Sequence, residues 1–416
     1  MAFKNGFLVN MTVDKSISKY KVLLLFICIL NMGGVLSLAL PYNLIDFIPM
    51  LLSIGYLMHK KRGLLRGNTI KALILCFILL ILSSVLTGVP LMNYKGFFLR
   101  LIIAYLVLSV FAGDCEDIRI HLVVCLKLIA VLAVINFILY MTVPYIFYPI
   151  ETSSGYHTNT FFYFFNYKSL AQLFGQILYR NQGVFWEPGV LQIPMNILAY
   201  NQLVVERKDF KSVIIPMFVI ITTMSTTGLF LFALIVAFRF LFIKKRRLSF
   251  KQVFLFILML FLFVPLLKEN THDKLQGAGA SSTAYRFQDV LLAYSFARDY
   301  PLLGIGFDSE KYQRLSGGIS LQTYEGIDVE SERGNSNTIS EVLVFLGIPM
   351  LLLFLIALFK QNIFPHSKMA FIVLVISFAT EPLLVTTIVL LIVLSSTCRP
   401  LSQISIGNNK TYEISN

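Results

Sequence analysis

Long apolar runs separated by short polar connections make up most of this 416-residue chain. The first runs fall at about 22–40, 43–58, 70–87, 96–112 and 121–143. Each is near the roughly 20 residues that a helix needs to cross a hydrocarbon core. A further run re-enters at QGVFWEPGVLQIPMNILAYNQLVV (182–205). The stretch from 212 to 247 is cut at Met224 to Gly228 into two spans, because it begins and ends with basic residues and a single crossing would leave one cluster on the wrong face. Runs at 253–267 and 339–359 follow, and the last apolar stretch, 369–400, divides at Glu381 and Pro382. The pattern predicts an all-α polytopic membrane protein of about 12 transmembrane helices.

Two long polar interruptions stand out. The segment 144–188 holds ten Phe or Tyr residues between Tyr145 and Tyr167. Such rings favour the headgroup level of a bilayer and also stack on sugar faces. The segment 268–337 is longer, and inside it Phe287, Val290, Leu291 and Tyr294 recur at helical spacing, which predicts a short amphipathic helix from about Thr283. Thr283 can cap it, and Arg286 and Asp289, three apart, can pair on the polar face. Pro301, Gly304 and Gly306 then end the helix. The expected organisation is therefore helices 1–5 in 1–143, a first large outer loop at 144–188, helices 6–9 in 189–267, a second large outer loop with short amphipathic helices at 268–337, and helices 10–12 with a tail in 338–416.

Composition agrees with a bilayer environment: 57% of residues are hydrophobic, 14% are charged, and the mean hydropathy is +0.76. The formal charge of +13 raises the question of a nucleic-acid partner. The basic residues cluster in short runs between apolar spans, so positive-inside orientation accounts for them and no nucleic acid is called for. That orientation puts both termini in the cytoplasm, with the first span a retained anchor. The five cysteines fall in spans or inner loops, and no disulfide framework is visible.

Orientation decides which residues can meet an outer substrate. Arg180, Glu187, Arg286 and Arg333 lie on the outer side or just below it, and a charge at the edge of an apolar span needs a partner or a task. Glu187 sits in FWEPG, between the only tryptophan, Trp186, and a proline that interrupts regular helix. An Arg180–Glu187 ion pair that pins the loop is the alternative to ligand contact. No phosphate-binding glycine loop, dinucleotide fingerprint or nucleophile elbow occurs, and the histidines lack the spacing of a zinc site. Arginines beside an aromatic outer loop suit an anionic, lipid-linked substrate. Guanidinium groups hold phosphate oxygens in pairs and neutralise the charge that a diphosphate leaving group develops.

In order, RNQGVFWEPG, the bent pair around TTMSTTG, RFQDVLLAYSFARDYPLLGIGF and NSNTISEVLVFLGIPM resemble the Wzy-type O-antigen polymerases and the related O-antigen ligases. The resemblance covers roughly 175–360 through motifs. It implies polymerisation of undecaprenyl-diphosphate-linked oligosaccharide repeat units into O-antigen or capsular polysaccharide at the outer face of the bacterial cytoplasmic membrane. No cofactor, metal or nucleotide sugar is implied. Expected partners are the lipid-linked glycan donor and acceptor, membrane lipid and a chain-length regulator protein. On this resemblance Arg180 and Arg286 grip the diphosphate and Glu187 is the first candidate base, with Glu341 or Asp289 in reserve. Trp186, Asp289, Arg333, Asn335 and Asn337 are the candidate substrate contacts. The chain reads Asn335, Ser336, Asn337 where the ligases often carry a histidine just before the asparagine. Two other classes stay open: an O-antigen ligase that transfers glycan to lipid A core, and a lipid-linked oligosaccharide flippase.

Overall fold

The computed structural model describes residues 17–39, 44–151, 157–168, 170–173, 176–243, 280–316 and 335–398. These residues are mostly helical, as the apolar runs require. The helices are α1 (Lys19–Leu30), α2 (Val35–Ala39), α3 (Leu44–His59), α4 (Asn68–Thr87), α5 (Lys95–Val110), α6 (Cys115–Thr142), α7 (Pro188–Tyr200), α8 (Ile214–Thr223), α9 (Thr226–Phe238), α10 (Ala280–Asp299), α11 (Ser309–Ser316), α12 (Thr338–Lys360), α13 (Ser367–Phe378) and α14 (Thr387–Ser395). The expected span at 253–267, both chain ends and Arg333 lie outside the described residues.

Among the described residues four helices are long and apolar enough to cross a membrane: Asn68–Thr87, Leu91–Val110, Cys115–Thr142 and Thr338–Lys360. Ile45–His59, Phe210–Thr223, Thr226–Leu241 and Ser367–Phe378 are apolar but shorter. Length alone thus counts four spans where hydropathy predicts about twelve. Part of the difference has a local cause, because several apolar runs are broken where polar groups enter. The run at 22–40 stops at Leu30, and Gly33, at φ +121°, turns the chain before α2. The run at 212–247 breaks at Met224, which adopts the left-handed conformation, and Ser225 caps α9 by accepting from Gly228 N–H at 3.2 Å. The last run breaks between Phe378 and Thr387, around Glu381 and Pro382.

The expectation of an all-α chain needs correcting in the segment expected to form the first outer loop. Strands β1 (Tyr148–Glu151), β2 (His157–Phe161) and β3 (Phe165–Tyr167) form an antiparallel sheet in that order, and β4 (Leu170–Leu173) pairs with β5 (Gln176–Tyr179). The reason is legible after the fact: aromatic and threonine side chains at alternate positions suit a half-buried pleated surface better than a helix. Thr158, Thr160 and Asn166 point inward and are buried. Asn136 of α6 pins that face, its Oδ1 accepting from Asn166 N–H and its Nδ2 donating to Asn166 O, both at 3.0 Å.

The loop helix also differs from expectation. It starts at Ala280, so Thr283 lies inside it, and its packed stripe is Asp289, Leu292, Ala293 and Phe296. Phe287, Val290 and Tyr294, the stripe chosen from the pattern, are exposed. The helix carries apolar residues on two faces, and the one that meets Ile305, Tyr312 and Val344 won. The PLLGIGF segment (301–307) then docks on a kink in α12. Gly347 at φ +81° opens that helix, so Val344 O accepts from Ile305 N–H at 2.8 Å, Phe345 O from Gly306 N–H at 3.1 Å, and Ile348 N–H donates to Pro301 O at 2.8 Å. A Cβ on Gly304 would stand 2.3 Å from Val344 O, so only glycine permits the approach. Two motifs far apart in sequence are therefore halves of one joint.

Candidate functional site

The turn between α13 and α14 places Glu381 in the protein interior, with 2% of its surface exposed. Its main-chain oxygen accepts from Thr338 N–H at 3.0 Å and Thr338 Oγ1 at 2.7 Å, and Thr338 Oγ1 in turn accepts from Leu383 N–H at 2.7 Å. The first residue of α12 is thereby tied to the turn, and the Glu381 carboxylate is aimed rather than mobile. Arg286 Nη2 of α10 lies 3.3 Å from Glu381 Oε1. The same oxygen stands where a Cβ on Gly189 would be, 1.8 Å away, so the carboxylate sits in van der Waals reach of the first turn of α7. A helix N-terminus favours a negative group there. Glu381 thus joins α10, α12 and α7.

The closing motif NSNT (335–338) knits the same region. Asp289 Oδ2 accepts from Ser336 N–H at 2.9 Å, and Asn335 Oδ1 accepts from Asn337 N–H at 3.1 Å. Asn337 is the N-cap of α12, its Oδ1 accepting from Ser340 N–H at 2.7 Å. Among the described residues, Asn335 Nδ2 and Ser336 Oγ are buried polar atoms without a protein partner. Such orphans cost free energy unless something meets them. Glu341, one turn into α12, accepts from Leu384 N–H at 3.3 Å. Arg286 and Asp289, expected to pair with each other, instead reach outward to Glu381 and Ser336 respectively.

FWEPG (185–189) arrives from the other side. Trp186 N–H donates to Gly33 O at 2.9 Å, Val35 N–H donates to Val184 O at 3.3 Å, and Gly34 bridges Phe185, so the α1–α2 break holds this loop in place. The Trp186 ring packs against Gly33, where a Cβ would lie 2.6 Å from its Nε1. Glu187 occupies the N-cap position of α7, yet its side chain makes no capping bond. It is half-buried and faces Lys168: partial burial lowers the Lys168 ammonium from its ordinary range, and the Glu187 charge offsets part of that. Arg180 is anchored from the side of α8. Its Nε donates to Thr223 O at 2.9 Å, at the C-terminus of α8, where a cation is favoured. Its neighbour Asn181 is fully buried, donating to Thr222 O at 2.9 Å and to Ala133 O at 3.0 Å.

Of the sequence candidates, Arg286, Asp289, Asn335 and Asn337 come together, and Glu381 links them to the helix that begins just after Glu187. Arg180 stands at the α8–α9 break, and both of those helices pack on α7. Arg333 lies outside the described residues. The residue that sequence reasoning passed over is Glu381, used only to mark the end of a span. A signal was present: Glu-Pro occurs at 187–188 and again at 381–382, each time within an apolar stretch.

Residues 212–355 match the family model described as O-antigen ligase, Wzy_C. The chain carries an O-antigen ligase-type segment. The segment runs from the start of α8 to the kinked half of α12, and it includes Arg286, Asp289, Asn335, Asn337 and Glu341. The match covers less than half of the chain, and the family it points to, the O-antigen polymerases and ligases, consists of glycosyltransferase-like enzymes. Arg180, Glu187 and Glu381 fall outside the matched residues. No curated protein and no solved structure matches the chain.

Proposed function

We propose that this O-antigen ligase-type chain is a polysaccharide polymerase, joining lipid-diphosphate-linked repeat units on the outer face of the bacterial cytoplasmic membrane. The observation that carries the proposal is the Arg286–Glu381 pair beside the first turn of α7. The buried carboxylate, itself favoured by the helix N-terminus, holds one guanidinium in place, and Arg286 keeps 35% of its side chain exposed for an incoming anion. In the reaction the bond between the sugar C1 and the diphosphate oxygen breaks, with the electron pair leaving on the diphosphate. An acceptor hydroxyl forms the new bond to C1 and gives up its proton. Arg286, with Arg180, offsets the charge growing on the leaving group. Direct displacement inverts the anomeric centre.

Among the three candidate bases the geometry favours Glu187. Asp289 is committed to Ser336 N–H and Glu341 to Leu384 N–H. Glu187 is half-buried and makes no capping bond, so its carboxylate is the one of the three that no main-chain N–H engages. Asn335 Nδ2 and Ser336 Oγ are donors available to substrate hydroxyls.

The printed name of the matching family supports a ligase as the second reading. A null strain separates the two, because loss of a polymerase leaves single repeats on the lipid core and loss of a ligase leaves glycan on its carrier. Complementation with Arg286→Ala or Arg180→Ala is expected to cut polymer formation by about a hundredfold, the loss seen when one donor to a developing oxyanion is removed. Full-length polysaccharide ladders from both variants would remove the proposed roles.

A further inference from the structure

The sheet β1–β2–β3 has an outward face as well as a pinned one. Strand alternation puts Pro149, Glu151, His157 and Asn159 on it, with Glu151 opposite His157 and Pro149 opposite Asn159 in the register. Together with Lys168 these residues line a cleft of about 350 Å³. Glu151 and His157 stand 3.5 Å apart and are both more than 60% exposed, so the cleft opens to the outside. Beyond the cleft the same face runs into the hairpin rings: Phe161 follows Asn159 along β2 and lies 4.4 Å from Phe162, which is 75% exposed.

The hairpin tip is built at a cost. Phe162 and Tyr163 both have φ near +55°, in a turn closed by Phe164 N–H on Phe161 O at 3.2 Å. Turns that need two left-handed residues ordinarily use asparagine and glycine. A bulky aromatic there is an outlier, and two together mark a site where presentation of the rings outweighs backbone comfort. Rings at a bilayer headgroup belt need neither this strain nor a polar cleft beside them. A sugar chain suits exposed rings next to a polar cleft, since each sugar ring has an apolar C–H face and an edge of hydroxyls. Lys168 ends the cleft, and just before it Asn166 N–H donates to Gly183 O at 3.2 Å, at the start of the loop that carries Glu187.

We propose that this outer-loop cleft is a glycan subsite, which binds a polar oligosaccharide through Asn159, His157 and Lys168 and stacks it against the hairpin aromatics with one end directed toward Glu187. The subsite rests on the reading of the neighbouring centre as one of glycan transfer, and it adds where the sugar chain lies.

The test uses the full chain in nanodiscs and the emission of Trp186, its one tryptophan, which sits in the loop beside Glu187. The probes are oligosaccharides of one repeat and of several repeats, released by mild acid from the source bacterium's own surface polysaccharide, with dextran oligosaccharides as the control. Saturable binding of the native probes and not of dextran is expected. Asn159→Ala combined with Lys168→Met should weaken it about tenfold, the equivalent of one or two lost hydrogen bonds. Tyr145→Ala, at an exposed ring outside the cleft, should leave it unchanged. Preference for one repeat identifies the acceptor unit as occupant, and preference for several repeats identifies the growing chain. Equal affinity in the double variant and the parent, or a response that follows lipid composition and not oligosaccharide, overturns the subsite. Activity is not read in this assay. A failed subsite and a failed polymerase reading are therefore told apart.

Discussion

Replacing Glu381 by glutamine keeps the shape of the side chain and removes its charge. The main-chain bonds from Thr338 are untouched, so the turn should survive. What changes is the contact with Arg286 at 3.3 Å. A hydrogen bond to a charged group contributes about 1.5–3 kcal/mol and a neutral one about 0.5–1.5 kcal/mol, so the swap removes on the order of 1–1.5 kcal/mol. Arg286 is a third exposed, and solvent screening brings the loss to about 1 kcal/mol. Glu381 touches no substrate in this scheme and acts by positioning Arg286. The expected result is therefore a fall in kcat for the lipid-linked donor of about fivefold, with KM within about twofold of the parent, because the charge that Arg286 offsets on the leaving group grows in the transition state. Initial rates of polymerisation by purified protein against donor concentration give both constants. Combining Glu381→Gln with Arg286→Ala completes a double-mutant cycle on kcat/KM for the donor. The coupling should be about 1 kcal/mol, above the roughly 0.3–0.5 kcal/mol scatter of independent sites. If the two substitutions simply add, Glu381 does not position Arg286 and the reasoning fails.

The Gly189→Ala substitution tests the same pocket from the helix side: a Cβ would fall 1.8 Å from Glu381 Oε1 and push the carboxylate away, so donor turnover should drop about tenfold or more. Ala is the better helix former by about 1 kcal/mol, so a variant that is fully active and more heat-resistant would show that the carboxylate does not matter there. Asn337→Ala removes the α12 cap and should lower resistance to thermal inactivation by about 1 kcal/mol with KM unchanged; a raised KM at low temperature would instead assign Asn337 to the substrate. Gly33→Ala would bring a Cβ within 2.6 Å of the Trp186 ring, from a backbone position at φ +121°, so both the Trp186 emission and activity should shift. An unchanged emission spectrum would mean that the FWEPG loop is not held by the α1–α2 break.

Several parts of the site could be read before any coordinates. The arginine of the loop helix, the FWEPG loop and the NSN motif were each visible because polar residues in an apolar chain are few. The cut at Met224 to Gly228 was visible for the same reason, since threonine, serine and glycine there interrupt the apolar run. The choice of helix face was not. Phe287, Val290 and Tyr294 have the right spacing, but so do Leu292, Ala293 and Phe296, and periodicity does not say which stripe meets Val344. The β-sheet of residues 148–167 is not legible in the sequence because its many aromatic rings are equally at home in an interfacial belt, and consecutive rings at 161–165 hide the alternation.

Sequence by itself determined the environment and the candidates: long apolar runs demand a bilayer, and each charge left among them demands a partner. It also supplied a family resemblance, through motifs whose order is local information. Only the tertiary structure decided the partners. Glu381 lies 95 positions from Arg286 and 192 from Gly189, and no local pattern relates residues so far apart. Their meeting depends on where α7, α10 and the α13–α14 turn come to rest, which packing fixes: glycine at 189, 304 and 347 allows approaches that any larger residue would block.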